Sequence, residues 1–229
     1  MLDLSYNALH KVENRTTGLF DPLLSIKVLN VSHNNLSNVG EYTFSHHKWI
    51  PYKLKEVDLS YNSLPVVTED FLLGMQHVQK LNLSHNLLNE IRKGEHRFCK
   101  YDLVFPLLLT INDIYGGFFL GVFPKLTQLK VLDLSSNELT HLPNNTISSA
   151  EMANLVELRI AGNLLSAIPA VEMASMPNLT MLDLRDNRLS KIHEPLYGKI
   201  KTGATIMYKG TIFGCKKKKD NFLHCFYIL

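Results

Sequence analysis

Residues 54–64 read LKEVDLSYNSL. Val57 and Leu59 alternate across a short extended stretch and so point the same way, into a core, which Leu54 and Leu64 close. Glu56, Asp58 and Ser60 face the opposite side. Asn62 turns the chain. Its amide donates and accepts at once, so it can satisfy backbone groups left open where the chain leaves the strand, which a carboxylate does not do. The same template, L-x-x-L-x-L-x-x-N-x-L, returns along the chain with its asparagine at Asn7, Asn34, Asn86, Asn137, Asn163 and Asn187, in steps of 27, 28, 24, 51, 26 and 24 residues. A period of roughly 20–29 residues means a stack of like units, each leaning on its neighbours, whose usual work is to present a binding surface.

The segments between copies carry their own signal. From Leu155 the chain passes through Ile168, Pro169, Met173 and Met176 before Leu179 starts the next copy, so large apolar residues fill the return half of each turn. The expected fold class is an α/β repeat solenoid: a curved parallel β-sheet on the concave face, with irregular or short helical segments on the convex face. Each buried apolar side chain contributes roughly 1.5–3 kcal/mol, which for one repeat is less than its ordering entropy. Stability therefore comes from stacking. Leu2 and Leu4 are expected on an open edge strand.

The step of 51 residues between Asn86 and Asn137 has two readings. As a degenerate repeat, Val104, Leu107, Leu109, Asn112 and Ile114 take the template positions. As an insert, removal of residues 95–121 leaves a normal step of 24, with Ile91, Phe123 and Leu126 on return positions. Gly94-Glu95 can be encoded as a splice-donor sequence, Phe118 to Gly121 as an acceptor, and Gly198-Lys199 again as a donor, which favours retained introns. The expected organisation is thus a solenoid over 1–198, with 95–121 as a repeat or an insert, followed by a poorly ordered, non-repeating tail over 199–229.

That tail holds seven lysines and one aspartate, whereas residues 1–94 and 122–198 together carry 15 basic and 17 acidic side chains. The net charge of +3 therefore does not describe the repeat surface, and nucleic-acid binding is not implied. Cys99, Cys215 and Cys225 lie outside the template matches without metal-ligand or redox spacing. Met1 opens directly on LDLSYNAL, already the middle of a repeat, so the parent protein is expected to begin upstream, and any membrane attachment to lie in parts outside this sequence.

On these residues the chain resembles the extracellular typical leucine-rich-repeat family, with its 24-residue period, Asn at the turn and Phe or Met in the return segment. Cytosolic ribonuclease-inhibitor-like repeats carry Cys at many of the Asn positions, and this chain does not. Phrases such as PYKLKEVDLSYNSL look like insect chaoptin-type adhesion proteins, while Toll-type receptor ectodomains and Slit-like secreted proteins share the template. The resemblance implies cysteine-bearing end caps, and neither cap is in this sequence. It also implies an extracellular or cell-surface parent and a protein partner, homophilic or another cell-surface or secreted protein. An intracellular scaffold is the alternative. The sequons at Asn14, Asn30, Asn35, Asn82, Asn144 and Asn178 agree with a secretory route, although N-L-S at a strand centre follows from the template itself, so that Asn14, Asn144 and Asn178 are the stronger candidates.

Candidate contact residues fall into columns. The strand centres supply Asp3, Asn30, Asp58, Asn82, Asp133, Arg159 and Asp183. Two places further along come Ser5, Ser32, Ser60, Ser84 and Ser135, with Arg185 in the same column. One more place gives Tyr6, His33, Tyr61 and His85, amphipathic rings of the kind that anchor interfaces at low entropic cost. Histidine changes charge between about pH 5 and 8, so protonation at His33 and His85 is a means of tuning such a column. The stretch SHHKWIPY, with Trp49, is a second candidate patch. No catalytic constellation, metal site or cofactor is expected: no glycine elbow or oxyanion motif accompanies the Ser, His and Asp columns, and His46 and His47, being adjacent, point apart.

Overall fold

The computed structural model describes residues 1–12, 20, 23–39, 53–68, 75, 77–92, 126–142, 152–191 and 194–208. Among them, eight short strands form one parallel sheet: β1 (Leu2–Asp3), β2 (Val28–Asn30), β3 (Glu56–Asp58), β5 (Lys80–Asn82), β7 (Val131–Asp133), β8 (Glu157–Arg159), β9 (Met181–Asp183) and β10 (Thr205–Met207), in that spatial order. The register is uniform. Leu29 pairs with Val57, Val57 with Leu81, Leu81 with Leu132, Leu132 with Leu158 and Leu158 with Leu182. All six are buried, so the strand centres fill one continuous core.

Three turns return by the same device. A tight turn before the strand carries the bonds Val78 N–H to Met75 O, Leu129 N–H to Leu126 O and Leu155 N–H to Met152 O, at 2.9–3.0 Å, and its two apolar ends are buried. The return side has a parallel pair of its own, β4 (Val66–Thr68) with β6 (Glu90–Arg92), which the template did not announce. In the penultimate turn the return side is a short helix, α1 (Ala170–Ser175), that buries Ala170 and Met173. Pro177 stops it by forcing Met176 out of the helical region, where φ is −67° and ψ 117°.

Strand β5 pairs directly with β7, across the step of 51 residues. The asparagine ladder closes over the same gap: Asn137 Nδ2 donates to Leu83 O at 3.1 Å, and Leu88 N–H donates to Asn137 Oδ1 at 3.0 Å. Residues 95–121 themselves, read from the sequence as a degenerate repeat or an insert, lie outside the described residues.

Beyond residue 198 the fold departs from the expectation of disorder. Helix α2 (Glu194–Lys201) runs straight through Gly198 and buries Leu196, with Glu194 in its first turn and Lys199 and Lys201 in its last. It ends as a Schellman motif. Gly203, at φ 93°, donates its N–H to Ile200 O at 3.0 Å, and Ala204 N–H donates to Lys199 O at 3.1 Å. Lys199 Nζ donates to Met176 O, and Thr205 N–H to Thr180 O at 2.7 Å starts β10 on the edge of β9. Glycine at this cap and cations near the helix C-terminus are ordinary stop signals. Residues 209–229 lie outside the described residues.

Candidate protein-binding face

The asparagine column supports everything else. Asn62 Nδ2 donates to Val31 O and Leu59 O, both at 3.0 Å, and to Ser60 O at 3.2 Å, while Leu36 N–H donates to its Oδ1 at 3.0 Å. The set recurs at Asn34, Asn86, Asn137, Asn163 and Asn187, each amide joining its own turn to the one before. Asn7, in the first turn, bonds only Leu4 O and Ser5 O within its own turn and is exposed.

The residue before each ladder asparagine lies in the left-handed region: Tyr6, His33, Tyr61, His85, Ser136 and Asp186 have φ of 52–54°, and Gly162 has 64°. For a residue with a Cβ this costs about 1–2 kcal/mol. The neighbouring turn enforces it. Tyr6, His33, Tyr61, His85, Ser136 and Gly162 donate their N–H groups to the next turn, at Ser32 O, Ser60 O, Ser84 O, Ser135 O, Ala161 O and Arg185 O, over 2.7–3.1 Å.

Four of these positions carry rings, and the rings stack: Tyr6 on His33 at 4.1 Å between centroids, His33 on Tyr61 at 4.2 Å and Tyr61 on His85 at 4.1 Å, with interplanar angles of 8°, 10° and 8°. Tyr6 is 76% and Tyr61 46% exposed. The inner faces of the stack cover one another. What it offers a partner is therefore its edge, a row of phenol and imidazole polar atoms on an apolar strip. The column order was readable in the sequence; the parallel stacking was not.

The strand-centre column is largely engaged with itself. Asp3 Oδ1 accepts Ser5 N–H at 2.9 Å and Ser5 Oγ–H at 2.6 Å, Asp58 Oδ1 accepts the same pair from Ser60 at the same distances, and Asn82 Oδ1 accepts from Ser84 at 3.1 and 2.7 Å. Asn30 and Asp133 accept from the N–H of Ser32 and Ser135 at 3.0 and 2.9 Å. These are turn caps. The Ser5 hydroxyl, then its N–H, holds the Asp3 carboxyl below the usual range. In the later turns the column becomes an ion-pair network: Arg159 meets Asp133 Oδ2 at 3.5 Å and also Glu157, while Arg185 grips Asp183 through Nε to Oδ1 at 2.9 Å and Nη2 to Oδ2 at 2.6 Å. The Asp183 carboxylate, chiefly by hydrogen bonding, raises the Arg185 guanidinium above its ordinary value.

Of the sequon asparagines, Asn30 and Asn82 are half-buried on the sheet, and Asn82 Nδ2 donates to Asp58 Oδ2 at 3.2 Å. Asn178 Nδ2 donates to Ala153 O at 2.8 Å, a copy of the bond from Asn154 Nδ2 to Thr127 O one turn earlier, which the sequence reading did not foresee. Asn35 is exposed beside the rings. Asn14, Trp49 and Asn144 lie outside the described residues. Among the described residues no group of three or more His, Cys, Asp or Glu side chains is placed to hold a metal ion, and no helix is long and apolar enough to cross a membrane.

Known proteins resemble this chain. The chain is 28% identical over 188 residues to podocan-like protein 1 of Mus musculus, covering 82% of this chain and 27% of that protein. It is 33% identical over 125 residues to Toll-like receptor 8 of Homo sapiens, covering 52% of this chain and 12% of that one. The Drosophila Toll–Spatzle complex structure aligns with a TM-score of 0.63 at 20% identity, over 92% of this chain and 26% of that one. The chain spans about a quarter of the length of podocan-like protein 1 and about a third or less of several other relatives. Leucine rich repeat models match residues 52–114 and 128–189, and a second such model matches residues 24–40. With that span of matched turns, the ladder of buried asparagines and the uniform parallel register, the chain belongs to the leucine-rich repeat family.

Proposed function

We propose that this chain is the partner-binding part of a secreted or cell-surface adhesion protein, and that the Tyr6–His33–Tyr61–His85 ledge is its main contact surface. One observation carries the reading: four stacked rings, three of them exposed and His33 half-buried, occupy a backbone position that favours glycine, where glycine would fold at less cost. Their edges give apolar area with donors and acceptors at the tips, a chemistry suited to a protein partner. Similarity to Toll-like receptor 8, named as a receptor, supports a binding role. Asp58, Asp133, Arg159, Asp183 and Arg185 serve chiefly to build and tune the sheet face beside the ledge.

The receptor reading is favoured by the similarity to Toll-like receptor 8 and to the Toll of the Toll–Spatzle structure. Beads coated with the purified chain separate the two. Aggregation of beads bearing this chain alone, lost with Tyr61→Ala, is expected for homophilic adhesion. Dispersed beads that capture a soluble ligand point to a receptor. Beads that aggregate equally with Tyr61→Ala place the contact away from the ledge.

A further inference from the structure

We infer that Asn35 carries an N-linked glycan and that this glycan covers one flank of the ring ledge. The inference rests on the secretory reading above. Asn35 stands in the sequon Asn35-Leu36-Ser37, is exposed, and bonds no backbone group through its side chain. Its Nδ2 meets His10 Nδ1 at 3.0 Å, and its Oδ1 accepts the Ser63 hydroxyl at 3.2 Å.

The other described sequons differ. Asn30 and Asn82 are half-buried between neighbouring strands, with their side-chain oxygens committed to the turn caps at Ser32 and Ser84. The Asn178 amide ties its turn to Ala153 O. Glycosylation at Asn35 disturbs none of this. An oligosaccharide passes from a lipid-linked pyrophosphate donor: the bond from sugar C1 to phosphate oxygen breaks, a bond from C1 to Nδ2 forms, and one Nδ2 proton leaves with the lipid pyrophosphate. The product amide keeps one N–H and its Oδ1, the donor and acceptor types that meet His10 and Ser63 in the unmodified chain.

Position matters more than occupancy alone. Asn35 follows His33 by two residues, at most about 7 Å along the backbone, and its oxygen reaches across to Ser63, two residues past Tyr61. The first sugars therefore stand beside the middle of the stack. A partner then approaches the rings from the sheet face.

The full chain, secreted from animal cells behind an added signal peptide, provides the test. Peptide mass spectrometry after enzymatic deglycosylation in heavy-oxygen water is expected to mark Asn35 in most molecules and Asn30 and Asn82 in few. Asn35→Gln and Ser37→Ala are each expected to remove one glycan's mass. An unmarked Asn35, or equal marking at Asn30 and Asn82, overturns the assignment. Because the signal peptide forces entry to the secretory route, that result is independent of where the native protein resides, which glycan analysis of the native protein addresses separately. For the covering of the flank, a Fab selected on the deglycosylated chain and dependent on Tyr61 is expected to bind the glycosylated form at least tenfold more weakly. Equal binding overturns the shielding.

Discussion

At Tyr61 the solenoid places a phenol ring on a left-handed turn residue; three ladder steps later, at Gly162, it places no side chain at all. The two positions have the same backbone, the same N–H bond to the next turn and the same buried asparagine behind them. What differs is outside. Before Ser136 the edge is a stack of rings beside a sheet face of Asp, Asn and Ser caps; from Ser136 onward the edge is small or charged and the sheet face is an Arg–Asp–Glu network. The lesson is that the scaffold and the surface are set by separate residues, so one can be varied while the other is held.

The sharpest check on the shared scaffold is the ladder. Asn62→Asp and Asn163→Asp each replace an amide that donates to three carbonyls with a buried anion, and each is expected to cost about 3–5 kcal/mol. Urea denaturation of both should give losses within about 1 kcal/mol of each other, and Asn7→Asp, at an exposed site, a far smaller one. A large gap between Asn62→Asp and Asn163→Asp breaks the comparison, because the two halves would then not share one scaffold.

The next check exchanges the edges. Gly162→Ala puts a Cβ at φ 64°, with Ser136 Oγ 3.3 Å away, and is expected to destabilise by about 1–2 kcal/mol. Tyr61→Gly relieves the same strain but removes two stacked contacts, worth about 0.5–1.5 kcal/mol each. The two effects nearly cancel, so its melting temperature should move little, while partner binding falls at least tenfold. A large loss of stability in Tyr61→Gly with binding retained makes the rings a stabilising strut and removes the ledge as a contact surface.

A smaller effect belongs to the charged half. Arg185→Gln leaves Asp183, whose side chain is 5% exposed, with the Arg185 N–H bond but without its guanidinium. Arg185 is itself about half exposed, so screening keeps the expected loss near 1 kcal/mol or less. The difference from the parent chain should shrink further in molar salt. Ring-half variants should show no such dependence, since uncharged phenol contacts are not screened.

Much of this is legible in the sequence. Alternation at Val57 and Leu59 and the spacing of the asparagines fix the strand centres, the core and the parallel stack, because burial is periodic and only one register satisfies it. The ring column was visible as Tyr6, His33, Tyr61 and His85, but its stacking depends on the distance between turns and on a left-handed φ, neither of which a one-dimensional pattern carries. The Asp-x-Ser caps are visible in the sequence only as residues two apart in the candidate contact columns; a carboxylate that caps its own turn has less to offer a partner. Gly203 is likewise a stop signal, but residues 199–229 show no sustained period, so the capped helix leading to β10 is not legible from the pattern.

The finest distinction within the ring half lies in the cap at Asp3. Its carboxyl is held below the usual range by the Ser5 hydroxyl first and the Ser5 N–H second. A folded-state value below the unfolded one means that the stabilisation is present above the ordinary carboxylate range and disappears as pH falls through the folded value. Ser5→Ala removes the larger of these causes while keeping the N–H bond. Carbon-detected NMR titration of the Asp3 carboxyl should therefore show its midpoint move up toward the ordinary value in Ser5→Ala, without returning fully. A midpoint that does not move would mean that the hydroxyl contact is not kept in solution, and that the backbone turn alone sets the first cap of the sheet face.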